Sequence, residues 1–287
     1  MNKYIKTFFA LLGLSAIILS SCKKNNLVID QDIVPPSYAR FNTLIQADSS
    51  AIYYIKATND VFKLPISVTT VSDKDRTIHF SYTSNTAVEG QQFSAPTSLT
   101  IPAGKVLDTL QFAGLFAGYP LSSRIDTVIV KITDDGDIPG STYTGPRKNT
   151  YKLILRKYCE VMLTDYAGTY NNTIDMQTGS PNYGPYVTSF SNIVQVPGTS
   201  TATATIDNFW DVGTSINVTL DWTSPSNFKA LIAPQILYND PTYGPITITG
   251  IATPPGTFSS CENTFSFSYK ITAAAGSFGN FVTTIAR

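Results

Sequence analysis

Side chains that can act as a nucleophile or a base are scarce, because the 287 residues include one histidine and three cysteines. A His-dependent catalytic site would have to use His79, which lies in the alternating segment 77–82. Ile78 and Phe80 fall on the opposite face of a strand with this alternation, so we expect His79 on a polar, solvent-facing surface. Nucleophilic catalysis normally needs a base beside the nucleophile. We therefore expect no His-dependent catalysis.

Carboxylates could support a different chemistry, since a hydrolase can work with a pair of them. The C-terminal half supplies five candidates, Asp175, Asp207, Asp211, Asp221 and Glu262. Their spacing commits no pair to a common pocket. A carboxylate-based hydrolase is therefore an alternative and not the leading hypothesis.

A metal site would need a cluster of ligands, and the sequence offers one weak candidate. Asp134, Asp135 and Asp137 share a predicted loop with Gly136, and Glu89 could approach them. Calcium takes about six to eight oxygen ligands, whereas Asp and Gly are also favoured in turns between strands. We favour the turn, and we predict no metal, no other cofactor and no metal-dependent catalysis.

Aromatic side chains are the best candidates for ligand recognition. Residues 183–186 and 238–243 are predicted as tyrosine-rich loops, and Trp210 adjoins a turn at Gly213. Aromatic rings bury large areas at low entropic cost and suit contacts with glycans or proteins. The predicted ligand-binding residues are Tyr183, Tyr186, Trp210, Tyr238 and Tyr243. The alternative is that these rings pack into a core or plug the ends of a barrel, as we expect of Trp222.

Short β-rich segments separated by turn residues must position these side chains, and no segment shows convincing helical periodicity. Residues 37–157 contain about seven or eight such segments, the pattern of a β-sandwich. Three sequence segments resemble Calx-β-type immunoglobulin-like domains of Gram-negative extracytoplasmic lipoproteins. They are TAVEGQQF (86–93), LTIPAG (99–104) and VIVKITDD (128–135). The resemblance implies an immunoglobulin-like sandwich for residues 37–157.

Residues 158–287 form a second series of strands. The opening DYAGTY (165–170) and the closing TTIAR (283–287) resemble small calycin-like barrels, some of them candidate lipid binders. The resemblance implies an antiparallel barrel of about eight strands, which can hold one small apolar ligand. The predicted fold is thus all-β, an immunoglobulin-like sandwich followed by a calycin-like barrel.

The N-terminus predicts export. Lys3 and Lys6 precede an apolar run at 8–19, too short for the roughly 20 residues of a membrane-spanning helix, so residues 1–21 are interpreted as a signal peptide. The tetrad LSSC (19–22) resembles a bacterial lipobox, which implies cleavage before Cys22 and its acylation, with palmitate among the chains. Residues 22–36 are then a polar tether. The alternative is an ordinary secreted protein with an incidental cysteine.

Export also predicts the oxidation state of the two remaining cysteines and the location of the protein. Cys159 and Cys261 are left once Cys22 carries lipid, and in an oxidising compartment we expect them to form a disulfide. The predicted location is the bacterial outer membrane, on its periplasmic face or at the cell surface. Acidic residues directly after Cys22, found in some surface lipoproteins, are missing here, so both faces stay open.

Composition restricts the partners. Charged residues make up 14% of the chain and the formal net charge is zero, so a nucleic-acid partner, which needs clustered Lys and Arg, is not expected. The leading hypothesis is a membrane-tethered, non-catalytic binding lipoprotein for glycan or nutrient capture, with outer-membrane uptake proteins as candidate partners. The main alternative is a carrier of a lipid or small apolar ligand in the barrel. An open apolar cavity would favour the carrier, and a filled interior would favour surface recognition.

Overall fold

The computed structural model describes residues 36–42, 49–58, 60–140 and 149–287. The predicted signal peptide, Cys22 and nearly all of the predicted tether lie outside these ranges. Within them, every regular element longer than four residues is a β-strand, so the predicted all-β class is confirmed. Among the described residues, no helix has the length and apolar character that crossing a membrane requires.

The N-terminal part is a sandwich of two sheets. Its strands are β1 (Ala39–Phe41), β2 (Ser50–Ile55), β3 (Phe62–Val68), β4 (Arg76–Thr83), β5 (Phe93–Ser94), β6 (Ser98–Ile101), β7 (Leu107–Gly114), β8 (Ile125–Ile132) and β9 (Thr150–Lys157). One sheet has the order β1-β3-β7-β5 and the other β2-β9-β8-β4-β6. Pairing is antiparallel except between β2 and β9, which run parallel.

The sandwich core forms because alternate side chains of the two sheets point towards each other. In β4, Ile78 and Phe80 are buried, whereas His79 between them is partly exposed. Phe93 stacks on Phe112 with ring centroids 4.9 Å apart. This is the β-sandwich that the strand pattern predicted, although the short strands β1 and β5 were not anticipated.

The C-terminal part closes into a barrel. Its strands are β10 (Gly168–Gln177), β11 (Tyr183–Gln195), β12 (Thr201–Phe209), β13 (Thr214–Asp221), β14 (Lys229–Ile232), β15 (Gln235–Asp240), β16 (Gly244–Gly250), β17 (Gly256–Ser259), β18 (Thr264–Ala273) and β19 (Gly276–Ala286). Eight of them form an antiparallel ring in the order β10-β11-β12-β13-β14-β17-β18-β19, which β19 closes onto β10. The hairpin β15–β16 joins the ring through the pairing of β16 with the second half of β18.

The two tyrosine-rich segments are mostly strand, so their prediction as loops was wrong. Residues 183–186 begin β11, and residues 238–240 belong to β15. In β11, Tyr186, Thr188 and Phe190 point inwards and are buried, which is the alternation of a barrel strand. Gly and Pro at 184 and 185 concealed this pattern, because both residues are usually read as turn signals.

Gly184 has a different role from the glycine of a turn. Its φ is +114°, and a Cβ at this position would lie 2.5 Å from the carbonyl oxygen of Thr173 on β10. The two strands approach closely here, next to register shifts of the β10–β11 pair around Thr173. Glycine therefore permits a bulge within the barrel wall.

A column of packed aromatic rings fills the interior of the barrel. Phe265 lies at its centre, 4.4 Å from Phe190 and 5.3 Å from Tyr166 between ring centroids. The rings of this aromatic column are Tyr166, Tyr170, Phe190, Phe209, Phe258, Phe265, Phe267 and Tyr269. A barrel of this size has room for side chains or for one small ligand. Here side chains occupy it.

Several contacts join the sandwich to the barrel within residues 38–287, which form one compact unit. Cys159, just after β9, forms a disulfide with Cys261 in the β17–β18 turn, with their Cα atoms 5.2 Å apart. The next residue, Glu262, accepts hydrogen bonds from the backbone amide of Ser122 (2.8 Å) and from its hydroxyl (2.6 Å). The same barrel turn is thus bound to the linker and to the sandwich.

Candidate functional site

An open cleft of about 350 Å³ lies at the barrel mouth, and we call it the mouth cleft. Its lining residues come from β10, the β10–β11 turn, β11, the β12–β13 turn and β19. They are Asp175, Met176, Gln177, Ser180, Pro181, Tyr183, Trp210, Val212 and Phe281. Apolar side chains with a few polar groups are the usual composition of a small-molecule site.

Trp210 is held in an uncommon backbone conformation. Asn208, Trp210 and Asp211 all have positive φ, of 56°, 63° and 54°, and bulky residues are rarely found there. The Asn208 side chain stabilises this turn, because it donates to the carbonyl of Val187 (2.8 Å) and accepts from the amide of Gly213 (2.9 Å). Backbone strain of this kind concentrates at functional sites, so the turn marks Trp210 as a candidate binding residue.

The Trp210 indole forms one wall of the mouth cleft. It packs edge-on against Phe281 with centroids 5.5 Å apart, and its centroid is 6.4 Å from that of Tyr238. Its backbone amide donates a hydrogen bond of 3.0 Å to the hydroxyl of Tyr186. Trp210 is half-buried, so it is anchored by the barrel while part of its surface reaches solvent.

The rim of the mouth cleft is polar. Tyr183 is 56% exposed, and its hydroxyl donates a 2.7 Å hydrogen bond to Oδ2 of Asp211. Hydrogen bonds from Tyr183 and Asn208 lower the pKa of Asp211, and the bond to Asp211 raises the pKa of Tyr183. Asp211 is therefore ionised and Tyr183 protonated at neutral pH.

Asp175 lies on the floor of the mouth cleft and is only 5% exposed. Its Oδ1 accepts a 2.5 Å hydrogen bond from the Thr283 hydroxyl, which is itself 2.7 Å from the Tyr269 hydroxyl. Oδ2 has no hydrogen-bond partner among the described residues. Burial raises the pKa of Asp175, although hydroxyl groups of Thr283, Tyr186 and Tyr269 act against that rise.

The structure brings four of the five predicted aromatic residues to this region. Tyr183 and Trp210 line the mouth cleft, Tyr186 lies behind Trp210, and Tyr238 packs beside it. Tyr243 is not among the lining residues of the mouth cleft and packs against Phe278 with ring centroids 5.4 Å apart.

Sequence reasoning missed some cleft residues. Met176, Val212 and Phe281 were not singled out, and Asp175 was proposed only as one carboxylate among several. Phe281 lies just before the closing segment 283–287, but its place beside Trp210 depends on the closure of β19 onto β10. That pairing has no local sequence signal.

The other proposed catalytic carboxylates are dispersed. Asp207 lies outside the mouth cleft and accepts hydrogen bonds from the hydroxyls of Ser189, Ser191 and Ser215. Asp221 ends β13 and caps the amide of Thr223 (2.9 Å), while Glu262 lies at the sandwich–barrel junction. Of the five, only Asp175 and Asp211 lie at the barrel mouth.

The calcium candidates form hydrogen bonds within their own loop and to strand β4. Asp134 accepts from the amide of Gly140 (3.1 Å), and Asp137 accepts from the amide of Thr77 (2.7 Å). Asp135 lies 3.3 Å from Nδ1 of His79. In the described part of the chain, no three His, Cys, Asp or Glu side chains, Glu89 included, are grouped so that they could hold a metal ion.

No protein-family model and no curated protein matches this chain. A protein of unknown function from Bacteroides ovatus is 14% identical over 86% of this chain and 89% of its own, with a TM-score of 0.36. An auxiliary nutrient binding protein from Bacteroides thetaiotaomicron is 14% identical over 85% and 91%, with a TM-score of 0.28. The apo Calx CBD1 domain is 8% identical over 43% and 98%, with a TM-score of 0.33. Likenesses at these TM-scores carry no argument about function, which must rest on the chain's own residues.

Proposed function

We propose that this chain is a lipid-anchored, non-catalytic binding protein whose mouth cleft captures a carbohydrate. The observation that carries the proposal is the half-buried Trp210, which a left-handed turn holds at an open cleft beside Phe281. Sugar rings have apolar C–H faces that pack on aromatic rings and hydroxyl groups that need polar partners. The mouth cleft offers both, since Gln177, Ser180 and Tyr183 lie among its lining residues.

The filled interior favours this function over carriage of a lipid. Phe190, Phe265 and Phe267 are each at most 2% exposed and occupy the space where an acyl chain would lie. A packed protein interior leaves no room for a ligand without displacement of side chains. An apolar ligand would therefore have to bind in a surface cleft such as the mouth cleft and not inside the barrel.

A carboxylate-based hydrolase is the second candidate function, because the pKa values of Asp175 and Asp211 are shifted in opposite directions. Such a difference is typical of an acid–base pair. However, a catalytic acid must come within hydrogen-bond reach of the substrate, and Asp175 is almost fully covered, with Oδ1 engaged by Thr283. This geometry supports binding more than proton transfer.

The proposed location is the bacterial outer membrane, with lipid on Cys22. The signal-like N-terminus supports it, and the Cys159–Cys261 disulfide is typical of an oxidising compartment. There the protein would pass bound glycan to outer-membrane uptake proteins. Cells that express the chain should incorporate labelled palmitate into it, and Cys22→Ala should abolish the label while a Cys22→Ala chain is still made. Persistent labelling of that variant would refute the anchor.

Carbohydrate binding can be tested with a glycan array, followed by calorimetric titration of each hit. Trp210→Ala should weaken binding at least about tenfold, because loss of a central aromatic anchor costs more than about 1.4 kcal/mol. Tyr243→Ala is the matched control, since it removes an aromatic side chain that does not line the mouth cleft. In a Trp222→Phe background, Trp210 is the one remaining tryptophan, and its fluorescence should change when the glycan binds. Binding that survives Trp210→Ala unchanged would contradict the proposed site.

A further inference from the structure

The charged side chains that line the mouth cleft or hydrogen-bond to its lining residues are both acidic among the described contacts. Asp175 lies on the floor of the mouth cleft and Asp211 at its rim, hydrogen-bonded to the lining residue Tyr183. None of the nine lining residues is basic. A ligand in the mouth cleft is therefore exposed to two carboxylates and to no lining Lys or Arg.

The groups that face Asp175 do not neutralise it. They are the hydroxyls of Thr283 on β19, Tyr186 on β11 and Tyr269 on β18, together with the carboxylate of Asp211 from the β12–β13 turn. Hydroxyls can stabilise a carboxylate but carry no positive charge. Buried charges are normally paired, and the described residues supply no cation to this one. Burial therefore disfavours the ionised form of Asp175, and a cationic ligand beside it would favour that form.

We propose that the mouth cleft selects saccharides that carry a protonated amine and rejects saccharides that carry an acid, with Asp175 and Asp211 as the specificity-determining residues. This inference rests on the proposed carbohydrate-binding function. A contact with Asp175 is not required, because a charge acts over several ångströms where protein replaces water. Like charges brought together at a binding site disfavour the wrong ligand, and opposite charges favour the right one.

The aromatic side chains of the mouth cleft also favour a cationic ligand over an anionic one. A cation near the face of an aromatic ring is attracted by its quadrupole, and Trp210, Tyr183 and Phe281 all line the mouth cleft. An anion at the same ring face is repelled. Rings and carboxylates together therefore favour an ammonium group over a hydroxyl, and a hydroxyl over a carboxylate.

Salt distinguishes the two carboxylates. Asp211 lies at the exposed rim, where dissolved ions screen its charge, whereas Asp175 is buried and screened much less. Discrimination that comes from Asp175 should persist at high ionic strength. Discrimination that comes from Asp211 should fade.

The test uses four tetrasaccharides with the same β-1,4-linked backbone, built from glucose, glucosamine, N-acetylglucosamine or glucuronic acid. Calorimetric titration of the purified chain at pH 6 should give affinities in the order glucosamine, then glucose, then glucuronic acid, with about tenfold between successive members. N-acetylglucosamine, which has lost the charge, should bind no better than glucose. Cyclohexylamine is included as an amine without a sugar.

Asp175→Asn and Asp211→Asn should each reduce the differences in affinity between these sugars. Asp221→Asn is the matched control, because it removes one carboxylate at the opposite end of β13, away from the β12–β13 turn. If Asp175→Asn unfolds the barrel, as judged by circular dichroism, Asp211→Asn at the rim still tests the proposal. Unchanged selectivity in a folded Asp211→Asn and in any folded Asp175→Asn would overturn it.

The outcomes separate this inference from the proposed function. Equal affinities for all four sugars, each lost in Trp210→Ala, would overturn charge selection and leave carbohydrate binding intact. Binding of cyclohexylamine and glucosamine without binding of glucose would support charge selection and contradict a general carbohydrate-binding site. Absence of binding to all five probes would overturn both.

Discussion

The hydroxyl oxygen of Tyr186 accepts a 3.0 Å hydrogen bond from the backbone amide of Trp210. Tyr186 is 7% exposed and belongs to β11, so this bond fastens the strained turn after β12 to the neighbouring strand. It stabilises the left-handed conformation of Trp210 at φ 63°. The buried Tyr186 is thus a positioning residue for the half-buried indole of Trp210.

Tyr186→Phe should weaken glycan binding although it leaves every lining side chain in place. The Trp210 amide would lose its acceptor, and a net hydrogen bond contributes about 0.5–1.5 kcal/mol. We expect a similar loss of unfolding free energy in urea and about a three- to tenfold loss of affinity. Tyr170→Phe is the control, because it removes a buried barrel hydroxyl that donates to the carbonyl of Tyr166 and does not contact Trp210. Equal affinity of wild type and Tyr186→Phe would argue against a positioning role.

The sequence identified several side chains of the mouth cleft but did not predict the strand pairing that brings them together. Trp210 and Tyr183 stood out as aromatic residues, but the segment that holds Tyr183 was predicted as a loop and is the start of a strand. Asp175, however, faces inwards together with Thr173 because the register of β10 against β11 shifts between Tyr170 and Thr173. A shift of one residue turns a side chain to the other face of a sheet. Tertiary pairing, not local pattern, therefore decides that this carboxylate points inwards.

Asp175→Asn should alter the pH dependence of stability in a defined direction. Burial raises the pKa of Asp175 above its ordinary value of 3.8, so the folded protein holds this proton more tightly than the unfolded chain. The resulting stability is fully present below pH 3.8 and is lost as pH rises through the folded pKa. Relative to Asp175→Asn, the wild type should therefore become less stable as pH rises from about 3 to 7.

Urea unfolding of both proteins at several pH values measures this difference. Asp207, Asp211 and Asp221 have lowered pKa values, so the stability that they give the folded protein is lost as pH falls. Both proteins contain these three residues, so their contribution cancels in the comparison. Asp221→Asn should show the opposite trend against wild type. A wild-type advantage over Asp175→Asn that grows with pH would contradict the raised pKa of Asp175.

Ser122→Ala should weaken the contact between sandwich and barrel most at neutral pH. Burial acts to raise the pKa of Glu262, but hydrogen bonds from Ser122 and Ser259 outweigh it and lower the pKa below 4.5. That stability is present above pH 4.5 and is lost as pH falls through the folded pKa. The variant should lose about 1 kcal/mol at pH 7 and less at pH 3, as measured by urea unfolding. A loss that is the same at both pH values would show that Glu262 does not respond to Ser122.

Reduction of the Cys159–Cys261 disulfide should destabilise the protein without removing its fold. The bond closes a loop with a sequence separation of 102 residues, and in the chain-entropy model such a loop corresponds to about 4.7 kcal/mol, with about 2–4 kcal/mol more typical. The double variant Cys159→Ser/Cys261→Ser should lose a similar amount of unfolding free energy. It should still fold, because neither cysteine belongs to the barrel ring or to the aromatic column. Intact-mass measurement after alkylation, with and without reductant, first establishes that the native protein has the bond. Two alkylatable thiols at these positions in the unreduced protein, or a double variant as stable as wild type, would contradict its stabilising role.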